Sequence, residues 1–181
     1  MANMIEKSCA FTGHRPYKLP WKYNEADPRC VSLKMALLEQ IRALAAAGVT
    51  DMYSGMAEGV DIWCSRILLF LRKENPALRL HCVLPHEGQA DKWAPASQEL
   101  YRSILAQADS VEYVSREYRK NCMLERNRRL VDQAGRLLAV YNGEWRGGTA
   151  ATLRYARKMG RALIVIDPLT RSVTQEEGPP M

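Results

Sequence analysis

A short β-type run passes into a helical pattern through a turn that carries two glycines, in residues 51–61 with the sequence DMYSGMAEGVD. The β-type run covers residues 51–54, and the helical pattern begins at Val60. Gly55 lets the chain leave the strand sharply, and Gly59 lets another group approach the backbone where the helix begins. A strand–turn–helix unit of this kind is typical of α/β sheets that hold a phosphate at the amino end of the helix.

Two further glycine-bearing turns repeat this arrangement elsewhere in the chain. Residues 12–16 (TGHRP) end the β-type run 8–12, and residues 146–149 (RGGT) open a helical pattern after the run 137–141. Because the carboxyl ends of parallel strands meet at one edge of a sheet, the three turns are expected to lie together. Arginines belong to two of these turns and can hold phosphate through two parallel hydrogen bonds. The sequence therefore predicts a pocket for a phosphate-bearing ligand.

Strand and helix patterns alternate along the chain. The β-type runs are residues 8–12, 51–54, 79–84, 110–114, 137–141 and 162–166. The helical patterns are the apolar series Leu33, Leu37, Ile41 and Leu44 and the segments 60–71, 96–108, 121–134 and 149–159. This alternation requires βαβ crossovers, so we predict an α/β fold: a three-layer, Rossmann-like, mainly parallel sheet with helices on both faces. We expect a single domain over residues 1–170, a long loop or lid over 16–28, and a flexible C-terminal tail over 171–181.

The composition is that of an ordinary globular protein of 181 residues, with 47% hydrophobic and 25% charged residues. The net charge of +6 favours phosphate, nucleotide or nucleic-acid partners without choosing among them. Five scattered cysteines without a CxxC spacing predict reduced thiols, and three histidines without an HxxxH spacing predict no metal site. Residues 1–7 lack a signal-peptide pattern, and no apolar run approaches the length of a membrane span. We therefore expect a soluble, cytoplasmic protein with no membrane partner.

The motifs together resemble the SLOG superfamily, and most closely its YpsA-like branch. The TGHRP and SGMAEGVD segments are similar to that branch's TGHRP-type opening and SGxAxGxD turn, and residues 85–93 resemble its P-x-E-x-Q-x-x-W stretch. ERNR at 125–128 and GGT at 147–149 resemble segments of the related DNA-processing protein A (Smf) branch. The resemblance covers residues 9–168. It implies a bacterial protein with a Rossmann-like fold that binds a nucleotide-like ligand and requires no cofactor.

The resemblance also implies which residues bind the ligand at this edge of the sheet. The arginines would neutralise phosphate, the glycines and the threonine would donate hydrogen bonds to it, and the aspartate would accept from a ribose hydroxyl or stabilise the first helical turn. His14 joins the set as a donor at the end of the first strand. The expected ligand-binding residues are Gly13, His14, Arg15, Ser54, Gly55, Gly59, Asp61, Arg126, Asn127, Gly147, Gly148 and Thr149.

Three functions are compatible with these motifs. The leading hypothesis is a protein that binds a nucleotide or an ADP-ribose-like ligand as a sensor or regulator. The second is a nucleotide N-glycosidase similar to the LOG phosphoribohydrolases, with Glu58, Glu87 or His14 as catalytic candidates, because Thr152 stands where those relatives carry a glutamate. The third is a single-stranded nucleic-acid-binding protein that uses the basic residues of 126–129 and 154–161. Ligand identity, pathway and the formation of a homo-oligomer stay open.

Overall fold

The computed structural model describes residues 2–179, which form one sheet of seven strands between two layers of helices. The strands are β1 (Ser8–Gly13), β2 (Asp51–Ser54), β3 (Arg79–Leu84), β4 (Ser110–Tyr113), β5 (Arg136–Val140), β6 (Ala162–Ile166) and β7 (Val173–Glu176). The helices are α1 (Ala2–Glu6), α2 (Pro28–Ala46), α3 (Val60–Leu71), α4 (Pro95–Gln107), α5 (Cys122–Gln133) and α6 (Gly148–Lys158), with a 3-10 turn at Pro16–Lys18. The predicted three-layer, Rossmann-like α/β fold is confirmed.

Two separate apolar cores hold the layers together. Helix α3 packs against α2, α4 and the sheet on one face, while α5 and α6 pack together on the other face. Successive side chains of β1 point to opposite faces of the sheet. Cys9 and Phe11 therefore pack in the first core, and Ala10 packs in the second. The central strands are thus buried on both faces, which explains their nearly continuous apolar sequences.

Local sequence signals account for the longest helix, α2. The Asp27 side chain accepts a hydrogen bond from the backbone N–H of Arg29 at 2.9 Å, and Pro28 occupies the first helical position. Leu37 and Ile41, at helical spacing, are fully buried in the first apolar core. This capped, amphipathic start fixes where the chain turns after the first strand.

The order of the strands, β4-β3-β2-β1-β5-β6-β7, locates the crevice of the fold. Strands β2, β3 and β4 follow one another on one side of β1, and the chain then crosses back so that β5 pairs with the other side of β1. The connection after β1 leads to the face that carries α2, and the connection after β5 leads to the face that carries α6. The two connections therefore diverge, which leaves an opening at the carboxyl ends of β1 and β5, where ligands of open α/β sheets bind.

Two segments differ from their expected form. Residues 171–181 contain β7, which pairs antiparallel with β6 and is joined to α6 by an ion pair between Arg157 and Glu176 at 2.7 Å. The β-branched residues Val173 and Thr174 at the start of β7 and the open edge of β6 favour this pairing. Residues 180–181 lie outside the described residues. Within the loop 16–28, Leu19 and Trp21 are 2% and 5% exposed, so this segment is anchored in the core rather than built as a free lid.

Candidate phosphate-binding crevice

A cavity of about 380 Å³ lies in the crevice between β1 and β5. Its walls come from the end of β1 and the chain after it, from the turn that opens α3, from the first turn of α6, and from one side of α5 between residues 123 and 130. Nine of the twelve expected ligand-binding residues line it: Gly13, His14, Arg15, Asp61, Arg126, Asn127, Gly147, Gly148 and Thr149. The three glycine-bearing turns thus meet at one edge of the sheet. The name crevice refers to this cavity.

The amino end of helix α6 points at the crevice without a side-chain cap. Gly147 is the N-cap residue, with a φ of 104° in the region that favours glycine. Ala151 is the first residue of α6 whose backbone N–H donates a hydrogen bond within the helix, to the Gly147 carbonyl at 3.1 Å. The N–H groups of Gly148, Thr149 and Ala150 therefore have no partner inside the helix, and these donors and the positive end of the helix dipole favour an anion at this point.

Arg126 is a buried cation on α5 that faces the crevice and is only 3% exposed. Its Nη1 donates to the Gly55 carbonyl at 2.5 Å and to Gln89 Oε1 at 3.3 Å, and its Nε donates to Asn127 Oδ1 at 2.8 Å. Within residues 2–179, no carboxylate lies within 4.0 Å of its guanidinium. Burial lowers the pKa of Arg126 to about 10, so the group is still protonated at neutral pH. A buried cation without an ion-pair partner favours an anionic ligand.

Three expected binding residues shape the crevice from outside instead of lining it. A Cβ at position 55 would lie 2.6 Å from Arg126 Nη1, so Gly55 allows the guanidinium to reach the backbone. The Ser54 hydroxyl is fully buried, accepts from the N–H of Met56 at 3.1 Å and donates to the Asp61 carbonyl at 3.3 Å. Gly59 is the N-cap residue of α3 and faces a neighbouring cavity.

The crevice is strongly positive. Four cationic side chains line it, against one carboxylate, that of Asp61; the cations are Arg15, Lys18, Arg126 and Arg146. The Asp61 carboxylate is buried and accepts a hydrogen bond from the backbone N–H of Ala57 at 3.2 Å. Burial raises the pKa of Asp61, and Arg126 and Arg15 oppose that rise. The excess of cations suits a ligand with more than one negative charge.

His14 joins the two loops that border the crevice. Its Nε2 lies 2.9 Å from Asn142 Oδ1 and 3.2 Å from the Asn142 backbone nitrogen. The N–H of Glu144 donates to the same Oδ1 at 3.0 Å, and Lys18 pairs with the Glu144 carboxylate at 2.8 Å. Burial lowers the pKa of His14, so the ring is neutral at pH 7. With Nε2 engaged by Asn142, His14 holds the loop after β1 against the loop after β5.

Neither glutamate expected as a catalytic group lies in the crevice. Glu58 faces the neighbouring cavity, and Glu87 is exposed on an open groove, 4.0 Å from the Arg116 guanidinium. Thr152 is buried, and its hydroxyl donates to the Gly148 carbonyl at 2.8 Å inside α6. Of the three catalytic candidates, only His14 lines the crevice.

Comparisons with known proteins agree with the site's motifs. A family model described as the YspA SLOG family matches residues 9–167. The chain belongs to the YspA SLOG family. A UPF0398 protein of Bacillus pumilus (strain SAFR-032) is 31% identical over 152 residues, which cover 83% of this chain and 81% of the relative. A UPF0398 protein of Bacillus velezensis is 27% identical over 179 residues, or 94% and 98% of the two chains.

A solved structure shows the same architecture in a larger protein. DNA processing protein A (DprA) from Streptococcus pneumoniae matches this YspA SLOG chain with a TM-score of 0.59 and 18% sequence identity. The match covers 90% of this chain but 53% of the other, so the chain spans about half the length of that structure. At this identity the likeness shows the fold alone. The predicted membership of the SLOG superfamily, in its YpsA-like branch, is confirmed by the family match.

Residues of the crevice and its support were missing from the sequence-based set. Gln89 donates from Nε2 to the Gly55 and Met56 carbonyls at 3.1 and 3.3 Å and accepts from Arg126 at its Oε1, so it positions the buried cation. Its place in the P-x-E-x-Q-x-x-W stretch was the available signal. Lys18 also lines the crevice, two residues after the TGHRP turn, and Arg146 lines it as the arginine already expected from the RGGT turn. Its adjacency to the TGHRP turn could have identified Lys18.

No helix within residues 2–179 is sufficiently long and apolar to cross a membrane.

Proposed function

We propose that the protein binds a nucleotide or a nucleotide-derived, ADP-ribose-like ligand in the crevice and acts as a sensor or regulator. The observation that carries the proposal is Arg126, a guanidinium that is 3% exposed, faces the crevice and has no carboxylate within 4.0 Å among residues 2–179. A buried charge of this kind is costly unless an opposite charge approaches it. A bound phosphate supplies that charge.

The lining residues divide naturally among the parts of such a ligand. A phosphate oxygen accepts from the free amides of Gly148 and Thr149, while Arg126 and Arg146 supply positive charge. Asp61 is the lining carboxylate, and it accepts from a ribose hydroxyl. Tyr17, which is 58% exposed at the rim, offers its ring for stacking against a base.

Binding accounts for the site better than hydrolysis of a glycosidic bond does. That reaction uses a carboxylate to stabilise positive charge on the sugar or to activate water. Glu58 and Glu87 line other cavities, and the Thr152 hydroxyl is occupied inside α6. The lining residues of the crevice include a single carboxylate, that of Asp61, which is 6% exposed and already accepts the N–H of Ala57. A nucleic-acid partner stays a prediction from the sequence, because the likeness to DNA processing protein A concerns the fold.

Isothermal titration calorimetry with ADP-ribose and AMP tests the proposal. The double variant Arg15→Ala/Thr149→Ala removes one cation and one hydroxyl from the crevice. Because a hydrogen bond to a charged group contributes about 1.5–3 kcal/mol, we expect the double variant to bind about tenfold more weakly or worse. The control is Arg116→Ala, an exposed arginine outside the crevice, which should bind like the wild type.

Two results would overturn the proposal. One is the absence of saturable binding of both ligands to the wild-type protein, and the other is an unchanged affinity in the double variant. Chromatography of the same samples for released adenine separates a binder from a hydrolase. We expect no release above the buffer control.

A further inference from the structure

A second cavity, of about 410 Å³, opens beside the crevice and is built from the same two loops. Arg15 and Ala57 line the crevice, whereas their chain neighbours Pro16 and Glu58 line the second cavity. The two loops touch between the cavities, since a Cβ at position 59 would lie 3.0 Å from the Pro16 ring. We call this second space the aromatic cavity. Its volume falls within the usual range of small-molecule sites.

Aromatic rings form much of its wall. Tyr23, Trp63 and Trp93 come from the loop after β1, from α3 and from the segment before α4. Trp63 is 4% exposed, so core packing fixes its ring. Tyr101 meets the Trp93 ring edge-on, with centroids 5.1 Å apart and planes at 80°. Lys34 Nζ lies over the Trp63 ring, 5.1 Å from its centroid. The rings open to a ligand are therefore those of Trp93 and the 62% exposed Tyr23. Aromatic rings beside an open space favour a flat, aromatic ligand.

The charges around the aromatic cavity cancel, unlike those of the crevice. Two lysines, Lys22 and Lys92, face two glutamates, Glu25 and Glu58. Both lysines are exposed, so solvent weakens their attraction for an anion. The aromatic cavity therefore lacks the excess positive charge that would select a phosphate, and it suits an uncharged ligand.

Among residues 2–179, the Glu58 carboxylate in this wall has no hydrogen-bond or ion-pair partner. Within the described residues 2–179, no group donates a hydrogen bond to its carboxylate and no cation lies within 4.0 Å. Glu25, by contrast, pairs with Lys34. Glu58 is half-buried, and burial raises its pKa above the ordinary value. A carboxylate next to aromatic walls accepts two parallel N–H bonds from a ligand that presents adjacent donors.

We infer that the aromatic cavity is a second ligand site, which binds a guanine-type base, free or as a nucleoside. The ring lies against the aromatic wall, and Glu58 accepts the ring N–H and the neighbouring amino N–H. Adenine presents an acceptor beside its amino group, so it leaves one carboxylate oxygen facing a lone pair. This site is separate from the crevice, and its existence does not depend on the function proposed for the crevice.

Calorimetric titration with guanosine and adenosine tests this inference, because neither carries a phosphate that the crevice could hold. We expect saturable binding of guanosine and binding of adenosine that is about tenfold weaker or undetectable. In Glu58→Gln, one acceptor becomes a donor that faces the ligand's donors, so the affinity for guanosine should fall about tenfold. Gln has the size of Glu, so the variant is expected to fold, and circular dichroism checks it.

Two matched variants locate the bound nucleoside. Glu117→Gln alters an exposed glutamate outside both cavities, and Arg146→Ala alters the crevice alone. Both should bind guanosine like the wild type. The inference is overturned by no saturable binding of guanosine, by equal affinity for the two nucleosides, by an unchanged affinity in Glu58→Gln, or by loss of binding in Arg146→Ala. Failure of the crevice proposal would instead appear as ADP-ribose binding that does not respond to changes at Arg15 and Thr149.

Discussion

Arg126 is the residue on which the crevice depends, because it brings a positive charge into the protein without a carboxylate within 4.0 Å among residues 2–179. Removing an ion from water costs several kcal/mol in real proteins. The carbonyl of Gly55 and the side chains of Gln89 and Asn127 offset part of that cost through hydrogen bonds. Neutral acceptors do not neutralise the charge, and the buried Asp61 carboxylate attracts it only from beyond 4.0 Å, so an incoming phosphate gains more here than it would beside a surface arginine.

The substitution Gly55→Ala tests whether the contact between Arg126 and the backbone serves binding. A Cβ would lie 2.6 Å from Arg126 Nη1, so the guanidinium must move away from the Gly55 carbonyl. We expect the affinity for ADP-ribose to fall about tenfold and the free energy of unfolding to fall by about 1 kcal/mol, the contribution of one hydrogen bond. Calorimetry and urea unfolding measure the two effects. Full affinity in this variant would show that the position of Arg126 does not matter.

The stability of the protein should depend on pH through His14. Burial lowers the pKa of His14 in the folded state, with Asn142 and Glu144 opposing the shift and Lys18 adding to it. The unfolded chain therefore takes up the proton more readily, and the free energy of unfolding decreases as the pH falls from about 6.5 through the folded-state pKa. Urea unfolding between pH 7.5 and about 5 should show this decrease, reduced in His14→Gln. Parallel pH profiles for the two proteins would rule out His14 as its source.

Helix α6 and strand β7 show, at the scale of elements, how the site and the sheet edge depend on each other. The amino end of α6 supplies the free amides of the crevice, while Arg157 near its other end pairs with Glu176 on β7. Strand β7 covers β6, whose residues 162–166 are all apolar. An uncovered edge with this sequence would present unpaired backbone groups to other chains.

Removing β7 should therefore affect association more than folding. The four β7 residues are exposed, so a chain that ends at residue 171 loses about 1–2 kcal/mol of unfolding free energy, mostly through backbone hydrogen bonds. It also gains an open β6 edge. We expect light scattering to detect concentration-dependent association of the truncated chain. The wild type at the same concentrations is the comparison, and an identical scattering profile would contradict this role of β7.

The sequence predicted the elements well where the signals were local. Helix α3 begins at Val60 and ends at Leu71, as its apolar spacing and the preceding glycine turn indicated. Strand β7 was missed, because a short polar strand becomes regular only when the edge of β6 is available. The partners of Arg126 were missed too. Gly55 and Gln89 lie 71 and 37 residues away in sequence, and no local pattern encodes such a pairing.

At the scale of the whole molecule, strand order brings the separate motifs together. The strand order reverses at β1, where β5 is added on the side opposite β2, and this reversal opens the crevice. The loops after β1 and β2 separate the crevice from the aromatic cavity beside it. The sequence predicted that the three turns would meet, because parallel strands align their carboxyl ends. It did not predict that Glu58 would face away from the crevice, since neighbouring residues of a tight turn point in different directions and spacing alone does not resolve them.

The most direct test of the central claim is an amide NMR titration of the ¹⁵N-labelled protein with ADP-ribose. Phosphate bound at the amino end of α6 must perturb the N–H groups that lack a partner inside the helix. We predict saturable shifts at Gly148, Thr149 and Ala150, together with the Nε–H of Arg126. Saturable shifts confined to other parts of the chain, or no saturable shifts at all, would contradict a phosphate site in the crevice between β1 and β5.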